Sequence, residues 1–182
     1  MRDLISILFI TLLLTGCITA KPQNNADFGE VETIKDLEGI YQNKGEGGSG
    51  QSTKYLSSLI WPNDPTVHDV EVETIEVRMS SKDTLKVKAL RKDGIEKEGI
   101  FVKGKDFEIR SGKIVLKFGA GIAGFKGGEP LVGPYYESVE LGLDKNGNGK
   151  YRQEFATAGL AFLFLPIAMG TNDEVRFNKI SN

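Results

Sequence analysis

The 182-residue sequence predicts a mainly β protein. The expected form is an antiparallel up-and-down barrel or a strongly curved sheet, with about eight or nine strands and one short helix after the first strand. Three features of the chain lead there. Apolar and polar residues alternate at period two through most of the chain after residue 70. Turn pairs (Asp93-Gly94, Ser111-Gly112, Asn146-Gly147) separate the alternating runs. Helical spacing of apolar residues is convincing in only one short window.

The first strand of the domain is expected over Glu38 to Asn43, followed by a Gly-rich loop. In "STKYLSSLIWP", Leu56, Leu59 and Ile60 share a helical face, Ser52 or Thr53 is placed to cap it, and Pro62 ends it. "DVEVETIEVRMS" alternates but slips phase at Thr74-Ile75, which predicts a bulge. "TLKVKAL" sets Leu85, Val87 and Ala89 against Lys86 and Lys88. "IEKEGIFVKG" follows a turn at Lys92 to Gly94. "DFEIR" and "KIVLKF" read as a hairpin across Ser111-Gly112. "YYESVELGLD" and "KYRQEFATAG" pair across an Asn-Gly turn. "LAFLFLPIAMG" reads as a buried strand of its own, and "DEVRFNKI" closes the sheet with Val175, Phe177 and Ile180.

The N-terminus is of another kind. A charged start at Arg2, an apolar run from Leu4 to Leu14 and small residues before Cys17 describe a secretory signal peptide. That run is too short to span a bilayer, which takes about 20 residues. Leu14-Thr15-Gly16-Cys17 resembles the lipobox of bacterial lipoproteins. The resemblance implies a diacylglycerol joined to the Cys17 thiol, cleavage before Cys17 and acylation of the new amine. Two or more acyl chains anchor a protein stably, where one does so marginally. By the same resemblance Ile18, in place of Asp, favours the outer membrane, with the domain facing the periplasm. The expected division is a signal peptide over 1–16, a lipidated Cys17 with a polar tether over 17–36, and a single β domain over 37–182.

Cys17 is the only Cys, so the domain has no disulfide, thiolate metal site or Cys nucleophile to call on. A net charge of −2 offers no basic footprint for nucleic acid. "GIYQN" together with Arg176 resembles lipocalin-like proteins, in which a Gly-x-Trp strand packs near a late Arg; Tyr41 stands in the Trp place. That resemblance implies a barrel holding a small apolar ligand.

Three motifs invite chemistry and fail on their own terms. "DKNGNGKYRQEF" opens like a calcium loop, yet its ninth and twelfth places are Arg152 and Phe155, where calcium needs oxygen ligands. It reads as turn chemistry. "GAGIAG", 119 to 124, matches a dinucleotide fingerprint, but "FKGGEPLVGP" after it is no helix. It reads as a loop whose rim, 119 to 134, meets a partner. His68, the only His, sits in a polar stretch with no nucleophile around it. Glu71, Glu73, Glu76, Glu137 and Glu140, set against Lys86, Lys88 and Lys117, read as cross-strand pairs on a wet face. Tyr55, Trp61, Tyr135 and Tyr136 read as packing at the ends of the sheet.

With no convergent catalytic set, the expectation is a binding or interaction module and not an enzyme, with no cofactor and no metal. Its partners are a membrane through Cys17 and either an envelope protein or a small apolar molecule. An interaction module predicts an exposed apolar patch. A carrier predicts an apolar cavity of roughly 300 Å³ or more.

Overall fold

The computed structural model describes residues 15–20, 25–48, 53–67, 71–123, 131–161 and 165–181. The chain is mainly β, and its described strands form two sheets. β1 is Thr15–Ala20, β2 Gly39–Gln42 and β3 Glu46–Gly47. The helix α1, Leu56–Ile60, follows, then β4 Thr74–Ser81, β5 Thr84–Arg91 and β6 Gly94–Val102. β7 is Ile109–Arg110, β8 Lys113–Ala123, β9 Leu131–Leu143, β10 Gly149–Ala161, β11 Leu165–Phe177 and β12 Lys179–Ser181. The larger sheet runs β1-β11-β10-β9-β8-β7, with β3 also paired to β11; the smaller runs β12-β2-β4-β5-β6. All pairings are antiparallel except β1 with β11, which is parallel.

Among the described residues the strands form two sheets and no closed barrel, and the chain passes between the sheets several times, the last at Asn178. Phe177, fully buried, ends β11 in the larger sheet, and β12 joins β2 in the smaller. The Asn178 carbonyl accepts the Gln42 N–H, and its amide donates to Gln42 Oε1 and Glu46 Oε1. The core lies between the sheets. Ile75, Val77, Leu85, Val87 and Ala89 face it from β4 and β5 at period two, as the sequence predicts, and Tyr151, Val175 and Phe177 face back from β10 and β11.

Several expectations change. The stretch 25–36, read as tether, is packed onto the domain: Phe28 bridges to Asp144, while Val31 and Ile34 are buried with Leu37. These four recur every three residues, the period of the 3-10 turn at Ile34–Leu37. The Asp36 carboxylate accepts the Glu32 and Thr33 N–H groups and fixes the start of that turn. Residues 119–123 continue β8 instead of forming a loop, in register with β9 from Gly119 opposite Glu137 to Ala123 opposite Gly133. "LAFLFLPIAMG" is not a strand of its own: it ends β10 and begins β11. The phase slip at Thr74 is the start of β4 and no bulge; that strand's register shifts at its far end, between Met79 and Ser81.

The hairpin across Ser111 and Gly112 stands as predicted, with φ of 50° and 71°, the left-handed pair a two-residue turn requires. The connection after β9 is longer than Asn-Gly alone. Asp144 Oδ1 accepts the N–H groups of Asn146 (2.8 Å) and Asn148 (2.9 Å), and Gly147 takes φ 82°. The Asp144 carboxylate is thus filled by N–H donors, in agreement with turn chemistry.

Candidate functional site

The two sheets and α1 line a half-open apolar cavity of about 350 Å³. The smaller sheet contributes Val77, Leu85, Val87 and Phe101. The larger contributes Ile114, Leu141 and Leu143. α1 supplies Leu56, Leu59 and Ile60, and Leu37, Pro62 and Phe107 complete the wall. Each residue arrives by its element's own period: two along the strands, and three then one along α1.

The polar groups at this cavity are few. Tyr41 donates its hydroxyl to the Leu37 carbonyl at 3.0 Å, and burial pushes its phenol well up from the ordinary value. The Asp106 carboxylate accepts the Val102 N–H at 2.8 Å. A second recess, about 640 Å³, lies beside Gln42, Lys44, Glu46, Tyr55 and Glu73. Its charged walls suit water better than an apolar guest.

α1 holds its place through Asn43, which is fully buried. Asn43 Oδ1 accepts the Ser57 N–H at 2.8 Å, its backbone carbonyl accepts the Leu56 N–H at 2.8 Å, and its Nδ2 donates to the Val72 carbonyl at 2.9 Å. The cap is therefore supplied from outside the helix, where Ser52 or Thr53 was expected; the residue at the N-cap place is Tyr55, which makes no side-chain cap bond. Ser57, also fully buried, donates its Oγ to the Val67 carbonyl.

Past the end of α1, Trp61 tilts against Phe101 with ring centroids 6.0 Å apart. The Lys97 ammonium stands 5.9 Å from the Trp61 ring and pairs with the Asp64 carboxylate. That hydrogen bond, with two more from Thr66, holds Asp64 at about 2, below the ordinary 3.8. The folded value lies below the unfolded one, so this contribution to stability is present above about pH 4 and is lost as the pH falls through about 2. In the Lys97→Ala variant the Asp64 carboxyl is expected to titrate closer to 3.8, read by carboxyl-carbon NMR. A value still near 2 would refute Lys97 as the main cause.

The outer face of the larger sheet carries a different cluster. Lys150 and Glu174 pair at 2.6 Å, with side chains only 4% and 6% exposed. The Lys150 ammonium also donates to Asn25 Oδ1 (2.7 Å) and the Ala26 carbonyl (2.6 Å). Phe28 lies over it, its ring 5.2 to 5.4 Å from the Lys113 and Lys150 ammonium groups and 4.7 Å from the Arg152 guanidinium. Glu140 pairs with Lys113 at 2.7 Å and Arg152 at 3.5 Å. This cluster fastens the N-terminal stretch to the sheet.

The residues singled out in the sequence are dispersed. Glu76 pairs with Lys88 and Lys86 with Glu98 across β4, β5 and β6, as solvated strand faces do. In the pair resembling lipocalins, Arg176 turns to Glu46, and the cation near Tyr41 is Lys179, 5.7 Å from its ring. His68 lies outside the described residues. The backbone of Cys17 lies in β1. Among the described residues no group of three or more His, Cys, Asp and Glu is placed to hold a metal ion. Among them, too, no helix is long and apolar enough to cross a membrane. No protein-family model matches the chain, no curated protein matches it, and no solved structure matches it.

Proposed function

We propose that this chain is a lipid-anchored envelope protein, held on the membrane through Cys17, whose domain binds a small apolar molecule between its two sheets. The observation that carries this reading is the cavity of about 350 Å³ with nearly all of its wall apolar. Ligand sites begin at about 300 Å³ and combine such walls with a few polar groups that orient the guest. Here Asp106 is the one charged side chain on the wall. The role assigned is binding, without catalysis and without a resident cofactor. An interaction with an envelope protein is the second reading, favoured by the exposed Ile95 and Ile100 on β6, the outer strand of the smaller sheet.

The test is native mass spectrometry on the chain carrying Cys17→Ser, exported behind a signal that directs no lipidation and purified without detergent. The expected spectrum shows extra mass that disappears on denaturation. Leu85 lines the cavity and is 5% exposed, so Leu85→Trp fills the space from one wall. It is expected to cost about 1–3 kcal/mol of stability and to remove the extra mass. A bare chain in the unsubstituted protein, before and after incubation with an apolar extract of the envelope, sinks the ligand reading.

A further inference from the structure

We infer that the far end of the larger sheet, beyond the row of Cys17, seats against the lipid bilayer at its interfacial level. The inference rests on lipidation of Cys17, and it adds a second, protein-borne contact with the same membrane.

The observation is a segregation of charge along the long strands. Their near ends carry Lys113, Lys117, Glu137, Glu140, Lys150, Arg152, Glu154, Asp173, Glu174 and Arg176. Their far ends, 118–123 on β8, 131–136 on β9, 155–161 on β10 and 165–172 on β11, hold no charged residue at all. Neighbouring residues of a strand face opposite sides, so both faces of the sheet lose their charge together. The two-sided pattern differs from that of a sheet with one face in a core and the other in water, which keeps polar residues on the wet side. Pro134, Tyr136, Ala156, Ala158 and Ala168 leave one face of this end exposed, and Met169 is exposed on the other, where Thr157 is buried.

The register places the anchor at the boundary. Cys17 pairs with Gly170, which stands in one row with Ala156, Tyr136 and Ala120 across the sheet. The next row inward, Ile18, Thr171, Phe155, Glu137 and Gly119, contains the first charge. A lipidated Cys sits where headgroup gives way to acyl chain. The sheet changes from charged to uncharged at that same level, on the side of Cys17 away from the core. From Gly170 to Leu165 the uncharged end extends about 17 Å at about 3.4 Å per residue.

The open edges limit the depth. Cleavage before Cys17 removes Thr15 and Gly16, so the outer edge of β11 over 165–169 has no strand partner among the described residues, and that of β8 has none beyond Val115, whose N–H donates to the Glu108 carbonyl. Unpaired backbone groups are not tolerated at a lipid-exposed edge in the hydrocarbon. One copy therefore lies in the interface, where headgroups and water satisfy those edges.

The test uses the lipidated full chain in phosphatidylethanolamine/phosphatidylglycerol vesicles. An environment-sensitive fluorophore is placed on a Cys introduced at Ala158, at Met169 or, as a control, at Lys92 in the turn between β5 and β6. Mass spectrometry of the N-terminal peptide reads lipidation of Cys17 separately. The expected result is blue-shifted emission at 158 and 169 and not at 92, quenched more by a shallow lipid-attached quencher than by one deep in the acyl chains. Water-like emission at all three sites, with Cys17 lipidated, overturns the proposal. A blue shift without lipid quenching overturns it in favour of a protein or a second copy covering this end. Stronger quenching from the deep position overturns interfacial seating in favour of insertion. An unlipidated Cys17 sinks the anchor, while the same vesicles still show whether the sheet end binds lipid by itself.

Discussion

Replacing Lys150 by Ala is expected to cost the domain about 3–5 kcal/mol, the usual penalty for removing one partner of a buried ion pair. The size follows from where the charge sits. Lys150 and Glu174 are both nearly excluded from water, and the ammonium is satisfied by Glu174, Asn25 Oδ1 and the Ala26 carbonyl. Without Lys150 the Glu174 carboxylate loses its cation in a site that solvent reaches poorly, and two acceptors of the N-terminal stretch lose their donor. Urea unfolding of Lys150→Ala measures the cost directly. The double variant Lys150→Met, Glu174→Leu tests the cause, since removing both charges avoids the stranded carboxylate. It is expected to recover the part of the loss that comes from the buried carboxylate, and not the part that comes from Asn25 and Ala26. A single variant that loses less than about 1 kcal/mol would put the pair in the class of surface salt bridges and refute the burial argument. Limited proteolysis adds a local readout. Phe28 and Asn25 depend on the same cluster, so the stretch 25–30 is expected to become cleavable in Lys150→Ala well below the unfolding transition. That stretch joins β1 to the core, so under the anchoring proposed at Cys17 its release would lengthen the tether between domain and membrane.

What was legible in the sequence was local. Alternation at Leu85, Val87 and Ala89 specified a strand with one buried face, and that strand lies inside the smaller sheet, between β4 and β6. Ser111-Gly112 specified a two-residue turn because a non-Gly residue at positive φ beside a Gly has few other uses. The helix was legible from Leu56, Leu59 and Ile60 and from Pro62. What was not legible depended on distance along the chain. Asn43 caps a helix that begins 13 residues later, and no local rule connects the two. The cavity needs two sheets to face each other, and the chain passes between them at β1–β2, β2–β3, β3–β4, β6–β7 and β11–β12, a sorting that no local pattern foretells. The N-terminal stretch was misread for another reason. Phe28, Val31, Ile34 and Leu37 recur every three residues, a period that tests for strand and α-helix pass over. The far ends of β8 and β10 are so rich in Gly and Ala that their alternation carries almost no hydropathy signal, and pairing had to be seen to be known.

Asn43→Ala is expected to cost about 2–5 kcal/mol and to loosen the cavity as it does so. Asn43 is completely buried, and its side chain satisfies two buried backbone groups, the Ser57 N–H and the Val72 carbonyl. An unsatisfied buried group costs about 1–3 kcal/mol, and Ala removes the side-chain acceptor of the Ser57 N–H together with a donor to the Val72 carbonyl. Its backbone bonds to Glu73 and Leu56 survive the substitution, so β2 and the chain entering α1 keep their course. The loss therefore falls on the start of α1 and the approach to β4. α1 is only one wall of the cavity, but it brings Leu56, Leu59 and Ile60. With five residues and no side-chain cap of its own, it has little intrinsic stability. Asn43→Asp separates the two bonds: it keeps an acceptor for Ser57 and loses the donor to Val72, while burying a charge. It is expected to be no more stable than Asn43→Ala. The exposed neighbour Lys44 gives the baseline, with Lys44→Ala expected within about 0.5 kcal/mol of the parent. Urea unfolding supplies the stabilities, and hydrogen exchange at the amides of Leu56 to Ile60 tells whether α1 opens separately from the sheets. Faster exchange confined to α1, together with loss of any bound apolar mass, is the expected pair of results. Uniform exchange across both sheets would show that Asn43 serves global folding only, and the idea that it holds the cavity wall in place would have to be given up.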